Sequence, residues 1–246
     1  GSAIGGNWYA IFARPVNNII ELCYAPFVRV SADAANVVTA GRHNAAGTTL
    51  DYNWSATATG GDIIVLTGAS RGAVAPITAL TAGAPDTLTY GGQALALVQG
   101  VWLMLTPPTK PYHYLGAVFN DNSGNLSQAH YVGKTVALAL PVNVQTDGTQ
   151  TTPTALNLSN ALPPTAREGH FGMFITDAAA AGAIGYLSYT STASTYLVTI
   201  SSEVTGQYNR SNVWVPIANS NDSPATYYRV AGAGDKMTVN VHGWRE

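Results

Sequence analysis

Lys236-Met237-Thr238-Val239-Asn240-Val241-His242 alternates polar and apolar side chains without a break. Only an extended strand, whose side chains point to opposite faces in turn, places half of such a run in a core and half outside it. The pattern recurs along the chain. Val136, Leu138, Leu140, Val142 and Val144 share one face of another strand. Phe171, Met173 and Ile175 mark a third, Tyr196, Val198 and Ile200 a fourth, and Val213, Val215 and Ile217 a fifth. No segment sustains a 3.6-residue period. The best helix candidate, Asp177-Ala178-Ala179-Ala180-Ala181, is limited by Gly182 and Gly185 to about one turn. The fold class that follows is all-β.

The first half differs in being apolar on both faces. Trp8 to Phe12, Ile19 to Tyr24, Asp62 to Leu66, Leu95 to Leu105 and Tyr112 to Phe119 read as runs. Strands covered on both sides produce such runs, and the second cover is either another sheet or another subunit. Gly60-Gly61, Gly91-Gly92, Asp147-Gly148 and Ser123-Gly124-Asn125 carry turn chemistry between the strands. The clearest hairpin runs from Tyr112 to Phe119, turns at Asn120 to Asn125, and returns from Leu126 to Val132. Short strands with turns between them point to a β-sandwich of jelly-roll type. A boundary near Gly133 divides the chain into an N-terminal β domain, 1–133, and a jelly-roll-like C-terminal domain, 134–246. No flexible linker separates them, so two packed domains are expected.

Of 246 residues only 10% are charged, and Lys110, Lys134 and Lys236 are the only lysines. Nucleic-acid binding needs clustered cations at phosphates, so that class of partner is excluded. The net charge of -2 gives weak repulsion between copies, which suits self-assembly. The single cysteine, Cys23, excludes an intrachain disulfide and reads as a small buried hydrophobe. No run reaches about 18 apolar residues, so no membrane insertion is expected. Gly1-Ser2 reads as the remnant of a cleaved tag, and no signal peptide is legible at this N-terminus.

Three patterns carry a family resemblance. Pro111-Tyr112-His113-Tyr114-Leu115-Gly116-Ala117-Val118 precedes Asn120-Asp121-Asn122-Ser123-Gly124-Asn125-Leu126. Val213-Trp214-Val215-Pro216-Ile217 precedes Ser223 to Val230. The chain closes on Val239-Asn240-Val241-His242-Gly243-Trp244-Arg245-Glu246. Over about residues 111–246 this resembles the hairpins and closing strands of bacteriophage tail-fibre, spike and head-fibre proteins. The resemblance implies a β-rich, homotrimeric appendage of the virion that contacts other virion proteins.

Catalytic and metal chemistry are sparse. The thirteen carboxylates are spread thinly, most of them beside Gly, Asn or Ser, where turn capping is the ordinary job. A polysaccharide depolymerase would need two facing acids, and Glu168 with Glu203 is the pair to watch. In the expected hairpin, His113 and His130 share a face at about 5–7 Å, where a metal would need them. Two exposed polar side chains is the simpler reading. Thr67-Gly68-Ala69-Ser70-Arg71-Gly72 lacks the lysine of a phosphate loop. Asn120 to Gly124 lacks the acid spacing of a calcium loop. No metal, no cofactor and no enzyme activity are expected.

Thirteen tyrosines against five phenylalanines favour amphipathic contact surfaces. The candidate ligand site is a loop from Gly206 through Tyr208, Asn209, Arg210 and Asn212, leading into Trp214. A stacking ring, amides and a guanidinium suit a neutral cell-surface glycan. The functional expectation is a virion fibre or spike that attaches to the host by multivalent glycan contacts. A purely structural decoration or connector protein and a depolymerase are the alternatives.

Overall fold

A computed structural model describes residues 6–34, 37–42, 61–81, 87–107, 111–121, 123, 125–176, 182–192, 198–201, 208–219 and 224–246. The fold is all-β, with no helix among the described residues. Every strand pairing is antiparallel. The helix candidate at 177–181 lies outside the described residues. There are two compact units: Gly1–Ser127 with Pro163–Thr165 and Ser220–Ser223, and Gln128–Leu162 with Ala166–Asn219 and Pro224–Glu246.

The first unit contains β1 (Asn7–Val16), β2 (Ile19–Ala34), β3 (Val37–Arg42), β4 (Asp62–Val65), β5 (Val74–Thr81), β6 (Thr87–Tyr90), β7 (Trp102–Leu105) and β8 (His113–Asn120). The pairings close on themselves: β2 joins β3, then β6, β5, β4 and β7 follow, and β7 returns to β2. Within the expected all-β class, this part of the chain therefore makes a six-stranded closed ring, which removes free edges. Its interior follows the register. Val28 sits opposite Leu103, which sits opposite Val65, and Leu105 opposite Ile63, which sits opposite Ala75. Residues directly opposite share a face, and all six are buried.

Strand β2 is sixteen residues long and serves two structures. Its second half belongs to the ring, and its first half pairs with β1 in a hairpin turned by Asn17 and Asn18. Both asparagines have positive φ, 48° and 66°. That is the geometry of a type I′ turn, whose twist matches the flanking strands. On its other edge β1 pairs with β8. One face of this three-stranded sheet buries Trp8, Ala10, Phe12 and Ala117, with Trp8 and Phe119 in ring contact at 5.3 Å. Cys23 is half-buried, not fully buried, and its thiol donates to the Phe12 carbonyl at 3.7 Å.

The hairpin expected from Tyr112 to Val132 forms only at its turn. Asp121 accepts from the backbone N–H groups of Ser123 and Asn125, each at 2.8 Å, and Asn120 bridges Leu126. Beyond that point the two strands part. β8 takes β1 as its partner, and β9 (Ala129–Val132) takes β10 (Thr135–Gly148). His113 therefore lies opposite Ala13 and His130 opposite Ala137, so the strand pairing that would have set the two histidines on one face is replaced. The turn chemistry was local and correct; the strand partners lie elsewhere in the chain.

The second unit is a sandwich. One sheet runs β15 (Tyr208–Pro216), β12 (Glu168–Thr176), β19 (Lys236–Arg245), β10, β9; the other runs β11 (Thr154–Ala155), β18 (Tyr227–Val230), β13 (Ile184–Ser188), β14 (Val198–Ser201). β16 (Ala218–Asn219) and β17 (Pro224–Ala225) form a separate two-stranded ladder. The two sheets meet closely at Gly185 of β13, where an added Cβ would lie 2.9 Å from Met237 Sδ and 3.0 Å from Ile175 Cδ1. Phe171, Met173, Ile175, Met237, Val239 and Val241 fill one side of the core, and Leu187, Ile200 and Val230 the other. On β14, Val198 and Ile200 fall where alternation placed them; Tyr196 lies outside the described residues.

Strand β10 departs from its expected half-buried face. Val136 is buried, but Leu140 is 80% exposed. The register against β19 jumps between Ala137 and Val142, so residues 138–141 bulge out of the ladder and carry Leu140 away from the core.

Candidate functional site

Strand β12 alternates cleanly. Phe171, Met173 and Ile175 are fully buried, which leaves Glu168, His170, Gly172 and Phe174 on the outward row. β15 continues that row on one side: His170 sits opposite Trp214, Gly172 opposite Asn212, and Phe174 opposite Arg210. β19 continues it on the other, with Glu168 opposite Arg245 and Gly172 opposite Asn240. Between Val241 and Gly243 the β19 register slips by one residue, and His242 is the extra one. A bulge re-aims a side chain. Here it sends the His242 ring over the outward face beside Gly172.

Three rings thus cross three strands. His170 is stacked on Trp214, with centroids 4.7 Å apart and planes 13° from parallel. His242 lies 5.6 Å from His170, tilted by 49°. The Arg245 guanidinium lies 4.1 Å over the Trp214 ring and pairs with Glu168 at 2.9 Å. The Arg210 guanidinium sits 5.2 Å over Phe174. Asn143 of β10 donates to Asn240 at 2.9 Å. In the middle, Gly172 leaves a floor without a side chain. An added Cβ there would meet the His242 ring and lie 3.1 Å from Asn212 Oδ1.

Burial, then the charges of His242 and Arg245, hold the His170 imidazole below its ordinary pKa. Burial, then Arg210, does the same for His242. Both shifts favour the neutral imidazole. The His242 Nε2 is buried with no hydrogen-bond partner among the described residues. The face thus offers neutral imidazoles, an indole, amides and guanidinium forks, a mixture suited to hydroxyls and ring faces.

The sequence placed Tyr208, Asn209, Arg210 and Asn212 on a loop. The backbone of all four is strand, paired with Thr176, Ile175, Phe174 and Gly172. The polarity of Arg210 and Asn212 reflects an outward-facing strand row, which composition alone does not separate from a loop. Arg210 and Asn212 are exposed and share their face with Trp214. The side chains of Tyr208 and Asn209, and the whole of Gly206, lie outside the described residues. His170, His242 and Arg245 were missed. His170 was readable, because it falls on the polar row between Phe171 and Gly169; His242 was not, because a bulge belongs to the ladder and not to one strand.

Other chemistry can be placed. Glu168 is held by Arg245, and Glu203 lies outside the described residues. Gly68 to Gly72 has the Gly-x-Ser-x-Gly spacing of a nucleophile elbow, which would need a strand-turn-helix setting. Here it joins β4 to β5 as a turn, closed by Gly72 N–H to the Val65 carbonyl at 2.8 Å. The Ser70 hydroxyl accepts from the Ala96 N–H at 2.8 Å. Among the described residues no group of three or more His, Cys, Asp or Glu side chains is placed to hold a metal ion.

No protein-family model and no curated protein matches the chain. Two solved structures of infectious bursal disease virus align with it. One is the structure of the Gx strain, 14% identical with a TM-score of 0.19, covering 95% of this chain and 58% of that one. The other is the VP2 subviral particle, 12% identical with a TM-score of 0.20, covering 97% and 69%. The chain thus spans under two thirds of the first neighbour's length. At these TM-scores the superpositions are too poor for either protein's role to be carried to this chain.

Proposed function

We propose that the protein is a structural component of a bacteriophage virion, a fibre or spike, whose outward five-stranded face attaches to a host-cell-surface glycan. The observation that carries the reading is the row Trp214-His170-His242 with Arg210 and Asn212 beside it. His170 stacks on Trp214 and is in tilted contact with His242, so these rings are held before a ligand arrives and lose little freedom on binding. A saccharide presents hydroxyls to forks and amides and its C–H faces to aromatic edges. Each such site is weak, and several copies on one particle raise the apparent affinity without new contacts.

The resemblance supports the virion setting. Its segments occupy structural positions here: Tyr112 to Val118 lead into and along β8, Val213 to Pro216 lie on β15, Tyr227 to Val230 form β18 in the opposite sheet, and the closing residues form β19. The purely structural reading, a decoration or connector protein, is favoured by one observation: exposed apolar side chains on the β1–β2 hairpin. A glycan array probed with the purified protein separates the two. Binding that disappears in Arg210→Ala/Asn212→Ala supports attachment; an array without signal for the wild type supports decoration.

A further inference from the structure

The two faces of the β1–β2–β8 sheet differ. One buries Trp8, Ala10 and Phe12. On the other, Ile20 is 70% exposed, Leu22 71% and Tyr24 48%. They lie opposite Pro15, Ala13 and Ile11 of β1, so all six share that face. On β8, Leu115, at the register irregularity against β1, is 45% exposed. Ile19, on the alternate row of the same hairpin, is 59% exposed. Glu21 and Arg14, which are ion-paired to each other at 3.0 Å, also lie on that alternate row. The apolar row itself bears no carboxylate, lysine or arginine.

We infer that this face of the β1–β2 hairpin is the surface through which copies of the chain join. The inference gives the oligomeric part of the proposed function a location, and it rests on that reading for the virion setting alone. The area argues for a protein partner of ordinary interface size. Ile20, Leu22, Tyr24 and Leu115 leave on the order of 400 Å² of mostly apolar surface uncovered, the level at which monomer patches become functional. A stable interface buries about 800 Å² on each partner, so these four side chains supply about half of one side.

Two further features select a second copy. The edge of β2 from Ile19 to Pro26 that faces away from β1 has no strand partner among the described residues. An antiparallel edge is complementary to itself about a two-fold axis. The row also lacks charge, in a chain of which only 10% is charged, so apposed copies meet no repulsion.

Sedimentation equilibrium at micromolar concentration tests this on the whole chain. Wild type should sediment as an oligomer. Ile20→Asp/Leu22→Asp should fall to the monomer mass with an unchanged β-type circular dichroism spectrum, because neither side chain is buried. Val74→Asp, a control at an exposed position on β5 (58%), should keep the wild-type mass. An oligomeric double variant, or a monomeric wild type, overturns the inference. So does flotation of wild type with phosphatidylcholine vesicles in place of self-association. The attachment reading is separable: a monomeric Ile20→Asp/Leu22→Asp should still bind immobilised glycan at the single-site level. An oligomer that binds no glycan would count against attachment and leave the interface standing.

Discussion

His170 and Trp214 stand directly opposite each other on β12 and β15, and their rings stack at 4.7 Å with planes 13° apart. Such a pair contributes about 0.5–1.5 kcal/mol beyond the burial of its area. Trp214→Ala should therefore lower stability by about 1–2 kcal/mol while leaving the fold intact, and it should reduce glycan binding at least tenfold by freeing His170 and Arg245. Chemical denaturation alongside binding to immobilised glycan measures both. A stability loss without a binding loss would make the ring row purely structural.

Acid should weaken the second unit. The folded His170 and His242 rings titrate below their ordinary value of 6.5, so below that pH the unfolded chain binds more protons than the folded one. The stability contributed by keeping these rings neutral is complete above about pH 6.5 and is lost as pH falls toward and through the folded values. Melting temperature should drop between pH 7 and pH 5, and His170→Gln/His242→Gln should flatten that slope. An equal slope in the double variant would show that other groups control the acid response.

At Gly243, β19 passes close to the backbone of β10. A Cβ at this position would run into the Val136 carbonyl oxygen, which is backbone and cannot turn aside. Gly243→Ala should cost about 3 kcal/mol, the upper part of the range for point changes. It should also disturb the bulge that presents His242. Equilibrium urea unfolding of the variant checks this, and a wild-type midpoint would mean that the ladder relaxes there without loss.

Strand β19 is central, paired with β12 on one edge and β10 on the other. Removing residues 236–246 takes away Met237, Val239 and Val241, each fully buried. That is about 5–9 kcal/mol of apolar burial at the usual 1.5–3 per side chain, comparable with the stability of a whole domain. It also opens two strand edges at once. The truncated chain should be insoluble; a soluble form with an unchanged melting profile would contradict the central placement of the strand.

Strands were legible wherever alternation was local. The buried row Met237, Val239, Val241 could be read directly, as could Phe171, Met173, Ile175. Pairing was not legible. Tyr112 to Val132 has the turn of a hairpin, yet β8 finds β1 and β9 finds β10, pairings that no local pattern displays. Ring closure in the first unit depends on β2 running on to Ala34 and binding partners on both edges, which no window of sequence displays. The site was half legible for the same reason. Arg210, Asn212 and Trp214 were readable as neighbours, whereas their meeting with His170, His242 and Arg245 is a product of register.

The central claim is that the outward face of the five-stranded sheet attaches to a glycan, and adsorption of the purified protein to host cells tests it most directly. Wild type should adsorb and be displaced by soluble host polysaccharide. Arg210→Ala/Asn212→Ala changes two exposed side chains, so it should keep its mass and melting temperature while losing adsorption at least tenfold. Undiminished adsorption by that variant, or no adsorption by the wild type, would contradict the account.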